Sequence, residues 1–441
     1  MRTLLSLTGT EHSATTNHES GIAVAVLHKG TDRTTVDEYL DEIEQLCLTA
    51  GANIVLRVVQ ERERLDPATF IGKGKVAELQ QLVSQYGVHF VIFDDSLSPV
   101  QVRNLQQALG VKILDRSMLI LDIFAKHART IEAKTQVELA QLQYLYPRLT
   151  RLWTHLSRQY GGIGTKGPGE TQIETDRRLI KERIAHLQRR LKDIESHRAL
   201  QRKERQDLFR FALVGYTNAG KSTLFNLITG AHVITENKLF ATLDTTVRRF
   251  TLPSGIEALL SDTVGFIRKL PAHLVASFHS TLAEAAESDV LIHVADAAHP
   301  ALDRHIETVE ETLVKLSIEH KPQLLVLNKI DQVRDPELRF SLRKRYPMGL
   351  FLSAQTGYNV HTLLRTMEQL FRQQCVRLRV HLPYSAMATL SYLYTNTIVE
   401  HRSDSDEGIT LELIIPQHLS STVTAAVEPC GKIIHSTVGA A

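Results

Sequence analysis

Long apolar runs are the first thing this sequence lacks. No stretch of its 441 residues approaches the ~18 to 20 apolar residues that a membrane-spanning helix needs. The first 20 residues also lack the apolar core of a secretory signal. The expectation is a flexible polar tail over 1–20 and a cytoplasmic protein. Cysteine is scarce: Cys47, Cys375 and Cys430 stand far apart, without metal-ligand spacing. That excludes a disulfide framework or a zinc finger and leaves reduced structural thiols. Net charge is nearly absent, at +2, while 43% hydrophobic and 23% charged residues make an ordinary globular balance. The length suits about three or four domains.

The small net charge hides an asymmetry. Residues 126–210 carry 19 Lys and Arg against 10 Asp and Glu, a segment charge of +9 that leaves −7 for the remainder. Either an anionic macromolecule binds there or the segment is a solvated helix face.

The chain is organised around Gly215-Tyr216-Thr217-Asn218-Ala219-Gly220-Lys221-Ser222. The apolar run 211–214 before it reads as a buried strand, and 223–228 after it as the start of a helix. Glycines let the backbone N–H groups curl around a phosphate, and the helix N-terminus adds a positive dipole end. Lys221 is suited to the β and γ phosphates, and Ser222 to Mg²⁺. Asp262-Thr263-Val264-Gly265 ends a second strand; Asp262 can hold Mg²⁺ through water, and the Gly265 N–H can meet the γ-phosphate. Asn328-Lys329-Ile330-Asp331 ends a third. Two acceptor oxygens on Asp331 match the N1–H and 2-amino group of guanine, a donor pair that adenine lacks, so GTP is expected over ATP. Ser353-Ala354-Gln355, after another apolar run, is placed to cover the base. Each tetrapeptide alone is weak; four in this order at strand ends are specific.

These motifs resemble the TRAFAC-class GTPases. The run Leu239-Phe240-Ala241-Thr242-Leu243-Asp244-Thr245-Thr246-Val247-Arg248-Arg249 is similar to the switch segment of the HflX family, of the Obg–HflX-like ribosome-associated GTPases. So are Leu156–Gly164, Gly167–Glu174 and Gln136–Leu142. The resemblance implies that Thr242 is the second Mg²⁺ ligand, beside Ser222, and that Lys221, Thr242 and Gly265 carry catalysis. It implies that Phe240, Ala241, Leu243 and Asp244 line the nucleotide. The usual Pro after the switch Asp is Thr245 here. Asn218 matches a loop Asn that ligates K⁺ in some related GTPases; a loop-stabilising Asn is the other reading. Phe266 stands where Ras-like GTPases place a water-positioning Gln, so intrinsic turnover is expected to be slow.

The remaining chain frames this domain, expected over 208–373. Strands near 22–27, 53–59, 88–93 and 111–114 alternate with helices over 35–50, 73–86 and 99–109, which implies a parallel α/β domain over 21–115. Phe70-Ile71-Gly72-Lys73-Gly74-Lys75 is an anion site at a helix start or a plain loop entering the helix. Two helical patterns over 116–207, one with Leu142, Leu145, Leu149, Leu152 and Leu156 and one with Ile173, Ile180, Ile184, Leu187, Leu191 and Ile194, predict an antiparallel coiled-coil hairpin. Pro147 is expected to kink or break the first. Between them, Gly161–Gly169 holds five glycines and one proline, flanked by Arg158, Lys166, Arg177 and Arg178. That tip is an RNA probe or a flexible linker. Residues 374–441 predict a small α/β domain.

The fold class is therefore multidomain α/β, with a parallel-sheet GTPase domain. The resemblance implies GTP and GDP as ligands and the large (50S) ribosomal subunit, including its RNA, as partner, with a role in rescue or splitting of stalled ribosomes, protein synthesis or ribosome biogenesis. A GTP-switched RNA-binding or signalling module with a non-ribosomal target is the alternative. A monomer without DNA binding is expected.

Overall fold

A computed structural model describes residues 19–27, 32–152, 168–203, 208–231, 239–269 and 284–438. The expectations for the tail over 1–18, for Leu156 and Arg158, and for the tip over 161–167 lie outside the described residues. The chain divides into two compact units, residues 1–123 with 144–177 and residues 124–143 with 178–441.

The first unit is built on β1 (Glu19–Leu27), α1 (Arg33–Ala50), β2 (Ala52–Glu61), α2 (Lys73–Tyr86), β3 (Phe90–Phe93), α3 (Pro99–Leu109) and β4 (Lys112–Asp115). Its four strands are parallel in the order β2-β1-β3-β4. Along β1, Ile22, Val24 and Val26 join one core with Leu79 and Val83 of α2 and Leu105 and Leu109 of α3. Ala23 and Ala25 are as deeply buried but alternate to the opposite face, as period two requires. Both faces are covered, as a parallel sheet demands. At the head of α3, Gln101 N–H donates to Ser98 Oγ and Ser98 N–H donates to Gln101 Oε1, with Pro99 in the first turn. The Gly72 N–H donates to Gln60 Oε1 at 2.9 Å, so a donor of the candidate anion site is used within the protein, which favours the plain loop.

Three long helices follow: α4 (Arg116–His127), α5 (Ile131–Leu152) and α6 (Pro168–Lys203). Of the kink or break expected at Pro147, there is no break: α5 continues past it, and the Arg148 guanidinium donates to the Tyr144 carbonyl in the turn that proline disturbs. At its described members, Leu142 and Leu145, the leucine stripe is not the buried face either. Leu145 is 41% exposed, while Ala133, Gln136, Val137, Ala140 and Tyr144 are buried at spacings of three and four. On α6 the heptad holds better, with Leu187 fully buried and Ile180, Ile184, Leu191 and Ile194 half-buried among exposed neighbours. This helix starts at Pro168, inside the glycine-rich run. A proline has no N–H to leave unpaired and is pre-set for a first helical position.

In the second unit, β5 (Phe209–Gly215), α7 (Lys221–Thr229), β6 (Thr246–Thr251), β7 (Glu257–Asp262), β8 (Val290–Asp296), α8 (Leu302–Lys315), β9 (Gln323–Asn328), α9 (Pro336–Arg345), β10 (Leu350–Phe351) and α10 (Val360–Gln373) follow in turn. Six strands form one sheet in the order β10-β9-β8-β5-β7-β6, parallel except for β6. Central β5 reads Phe-Ala-Leu-Val because both its faces are buried, and Phe209 and Phe211 pack with Phe250 and Phe371. The sheet order places the ends of β5, β7 and β9 along one edge, where open parallel sheets bind ligands.

The chain finishes with β11 (Cys375–Leu382), α11 (Met387–Asn396), β12 (Ile398–Ser405), β13 (Gly408–Pro416), α12 (Ser420–Val427) and β14 (Lys432–Val438). These strands form a separate antiparallel sheet, β12-β13-β11-β14. All of β12 after Val399 is exposed, which suits an edge strand and explains why it carries no apolar signature.

Candidate nucleotide site

The glycine loop joins β5 to α7 without a side-chain cap at the helix start. Its glycines are needed for space. A Cβ on Gly215 would lie 2.1 Å from the Val294 carbonyl oxygen, and one on Gly220, at φ +92°, 2.3 Å from Asn328 Nδ2. Asn218, with φ 59°, takes the left-handed conformation that asparagine tolerates. Ala219 is buried against the sheet. Lys221 is 6% exposed, and its ammonium donates to the carbonyls of Gly215 (3.0 Å) and Tyr216 (2.8 Å), folding back over the loop. Burial pulls its pKa down to about 8, against the attraction of Asp262 and with help from Lys329.

A second cluster meets the loop at the head of α7. Ser222 Oγ lies 2.7 Å from Thr242 Oγ1 and donates to Asp262 Oδ2 at 2.6 Å. Asp262 is fully buried at the end of β7, and burial raises its pKa. Its second oxygen, Oδ1, has no hydrogen-bond partner. A buried carboxylate oxygen left bare beside two hydroxyls is the donor set that a hard cation such as Mg²⁺ takes, so these residues fit that ion. The buried Thr217 Oγ1 is also without a partner.

After β7 the chain runs back along the loop. Thr263 donates its hydroxyl to the Leu213 carbonyl, Phe266 N–H to the Gly215 carbonyl, and Thr217 N–H to the Phe266 carbonyl. Gly265 has no room for a side chain, since a Cβ would sit 2.7 Å from Thr217 Cα. Val264 and Phe266 are buried, so the Phe266 ring is a packing group and its backbone clamps the loop. One cleft is lined by Thr217, Asn218, Gly220, Lys221, Ser222, Phe240, Ala241, Thr242, Thr263 and Gly265. Leu243 is buried and does not line it.

Asn328 ties the base-reading segments to the loop. Its Nδ2 donates to the Ala219 carbonyl and its Oδ1 accepts from Ala354 N–H, both at 2.9 Å. The Ile330 N–H donates to the Leu352 carbonyl, and the buried Ser353 Oγ accepts from Thr356 N–H. Gln355 is exposed at the rim. Lys329, at φ 60°, pairs with Asp296 at 2.8 Å. Asp331 Oδ1 is buried without a partner. An acceptor held bare in this way is what a guanine donor edge requires.

The sequence reading missed three neighbours. Asp296 fixes Lys329; only its place at the end of β8 could have marked it. His293 is buried inside β8, where burial and Lys221 lower its pKa to about 4. Tyr216 stacks on His305 at 3.7 Å, and its hydroxyl accepts from Arg268 N–H.

Comparison with known proteins agrees along the chain. Four described families match in order: the GTP-binding GTPase N-terminal region over 37–125, the GTP-binding GTPase middle region over 127–205, the 50S ribosome-binding GTPase over 210–329 and the HflX C-terminal domain over 344–426. A protein of Flavobacterium psychrophilum named GTPase HflX is 51% identical over 72% of this chain and 76% of its own length. Proteins of the same name are 45% identical in Magnetococcus marinus, over 88% of this chain and 90% of that one, and 41% in Escherichia coli, over 90% and 95%. A solved GTP-binding protein from Sulfolobus solfataricus in complex with GDP is 25% identical over 79% of this chain and 98% of its own, with a TM-score of 0.40.

Proposed function

Because the chain belongs to the HflX family of GTPases, we propose that its GTP cycle works on the large ribosomal subunit, in rescue or splitting of stalled ribosomes, protein synthesis or ribosome biogenesis. The observation that carries this is the match of 210–329 to the family described as a 50S ribosome-binding GTPase. The positive charge of 126–210 supports it, since RNA binding needs such a field. Within that segment Arg178 is exposed, while Arg177 lies over the Tyr146 ring at 5.2 Å, so Arg178 is the freer to meet a phosphate.

Catalysis by this site rests on placement. Loop amides and Lys221 meet the phosphates, and Asp331 reads guanine. Ser222 and Thr242 would hold Mg²⁺, with Asp262 behind them, and that ion would supply charge for the phosphate oxygens of the transition state. The Gly265 N–H would meet the γ-phosphate. Phe266 offers no hydrogen bond to a water, so the attacking water relies on backbone or on the partner. Asn218 keeps its two readings, which turnover in K⁺ against Na⁺ separates.

The test is co-sedimentation with purified ribosomal subunits in GDP and in a nonhydrolysable GTP analogue. The expected result is binding to the large subunit in the analogue, together with stimulated hydrolysis of GTP. Equal pelleting with both nucleotides and no stimulation would send the reading back to a non-ribosomal target.

A further inference from the structure

The joint between α4 and α5 touches the switch segment at both ends of a short span. Phe240 is 3% exposed with φ 57°, and its ring stands edge-on to that of Phe124, centroids 4.7 Å apart. The Phe240 carbonyl oxygen lies 2.7 Å from His127 Nδ1, which donates to it. Four residues on, the Asp244 carboxylate accepts from the N–H groups of Arg129 (3.1 Å) and Thr130 (3.2 Å) and from the Thr130 hydroxyl. Thr130 Oγ1 accepts in turn from Ala133 N–H at 3.1 Å, at the head of α5. The switch carboxylate thus satisfies donors that α5 leaves open at its start and sits at the positive end of its dipole.

Thr242 lies midway between these anchors, and its hydroxyl is the one within 2.7 Å of Ser222 Oγ. Its own backbone has no element to hold it: 241–245 is neither helix nor strand. The contacts at Phe240 and Asp244 flank Thr242 and, with the buried Leu239 and Leu243, hold the segment that carries it. We infer that Phe124, His127 and Thr130 are positioning residues for GTP hydrolysis, holding the switch segment closed so that Thr242 stands beside Ser222 and Asp262. This rests on the assignment of Thr242 to the GTP-bound, Mg²⁺-holding state made above. GDP lacks the phosphate that this part of the site faces, so the joint should matter for GTP and little for GDP.

The experiment uses the full chain with GDP and a nonhydrolysable GTP analogue in Mg²⁺, plus single-turnover hydrolysis. Thr130→Val and Phe124→Leu are each expected to lower analogue affinity and the hydrolysis rate about tenfold while GDP affinity stays within about twofold, since one charge-assisted bond or one tight ring contact is lost. Thr130→Ser keeps the hydroxyl and should restore the wild-type ratio. In a Thr242→Ala background, Thr130→Val should add little, because nothing remains to be positioned. An unchanged analogue-to-GDP ratio in both joint variants, with melting temperatures showing folded protein, overturns the inference. Equal loss of both nucleotides overturns it as well, as damage to the fold. Should Thr242→Ala itself leave analogue binding and turnover intact, it is the assignment of Thr242 that fails.

Discussion

Buried charge occurs in both units, and the two treat it differently. In the first, Arg116 is 1% exposed and its guanidinium bonds to Asp94 at 3.0 Å and to Glu42. Beside it, Asp115 accepts from Leu97 N–H and Met118 N–H and pairs with Arg148. Among the described residues of this unit no buried carboxylate oxygen lacks a partner. In the second unit, Asp262 and Asp331 each keep one buried oxygen bare, as does Thr217 its hydroxyl. Leaving an acceptor unpaired costs about 1 to 3 kcal/mol. In the first unit the carboxylates are paired although the Arg116 and Arg148 Nε groups are not; in the second, bare acceptors gather at the strand ends around the nucleotide cleft, where a ligand can complete them. Burial alone does not separate them.

The comparison predicts opposite consequences of removing a charge. Lys221→Ala should lower hydrolysis by about a thousandfold, roughly 4 kcal/mol of barrier, because one preorganised cation at the phosphates is lost. Stability should hold or rise, because the buried ammonium is itself unfavourable, its pKa drawn down to about 8. Single-turnover kinetics and a thermal melt check both halves. Arg116→Met should do the reverse. It takes away the cation that pairs with Asp94 and Glu42, so about 3 to 5 kcal/mol of stability should go, with GDP affinity of the folded protein unchanged. Urea titration followed by nucleotide binding below the transition tests this, and a loss of affinity without a loss of stability would erase the distinction.

How much of this was legible in sequence follows from separation along the chain. The phosphate loop is eight contiguous residues, and its chemistry is local: glycines for space, a lysine and a hydroxyl at the helix start. Asp262 was readable because it ends an apolar strand, and Asp331 because it closes the tetrapeptide that runs on from another. The partners of Arg116 were not: Asp94 lies 22 positions away and Glu42 lies 74. The bond from Thr130 to Asp244 spans 114. Nothing local announces such pairs. Helix α5 shows the same limit: its leucines suggested one face, while the buried face mixes Val137, Leu139 and Tyr144 with Ala133, Gln136 and Ala140, whose small or polar side chains weaken its hydrophobic signal. Edge strand β12 carries no apolar alternation to read, because an exposed strand needs none.

His293 belongs to neither class. It is buried in β8 as a neutral imidazole, with its pKa lowered from 6.5 to about 4 by burial first and by Lys221 second. The unfolded chain takes up a proton as pH falls through 6.5, and the native chain does so only near 4. The unfolded state therefore binds more protons in that window, and native stability falls with falling pH. The contribution is about 3 kcal/mol, fully present above 6.5 and lost by about 4. His293→Phe should remove this component from the pH dependence between 6.5 and 4, compared by melting wild type and variant across the range. Parallel curves would show that His293 is not the titrating group.

The smallest expected effect is the most specific one. Asp331→Asn keeps the size of the side chain but can put an amide N–H₂ where the bare carboxylate oxygen stood. Guanine then meets donor against donor at one position. The loss of a charge-assisted bond should weaken GTP about 10- to 100-fold, or roughly 1.4 to 2.8 kcal/mol. Xanthine carries a carbonyl in place of the 2-amino group, so xanthosine triphosphate should gain by a similar factor. Stability should scarcely change, because in the nucleotide-free protein the replaced oxygen has no partner to lose. Titration calorimetry with both nucleotides, alongside a melt, separates the cases. Equal GTP affinity in wild type and variant would remove the guanine assignment. A large fall in stability would mean that Asp331 resembles Arg116 after all, a structural charge that some unseen donor already satisfies.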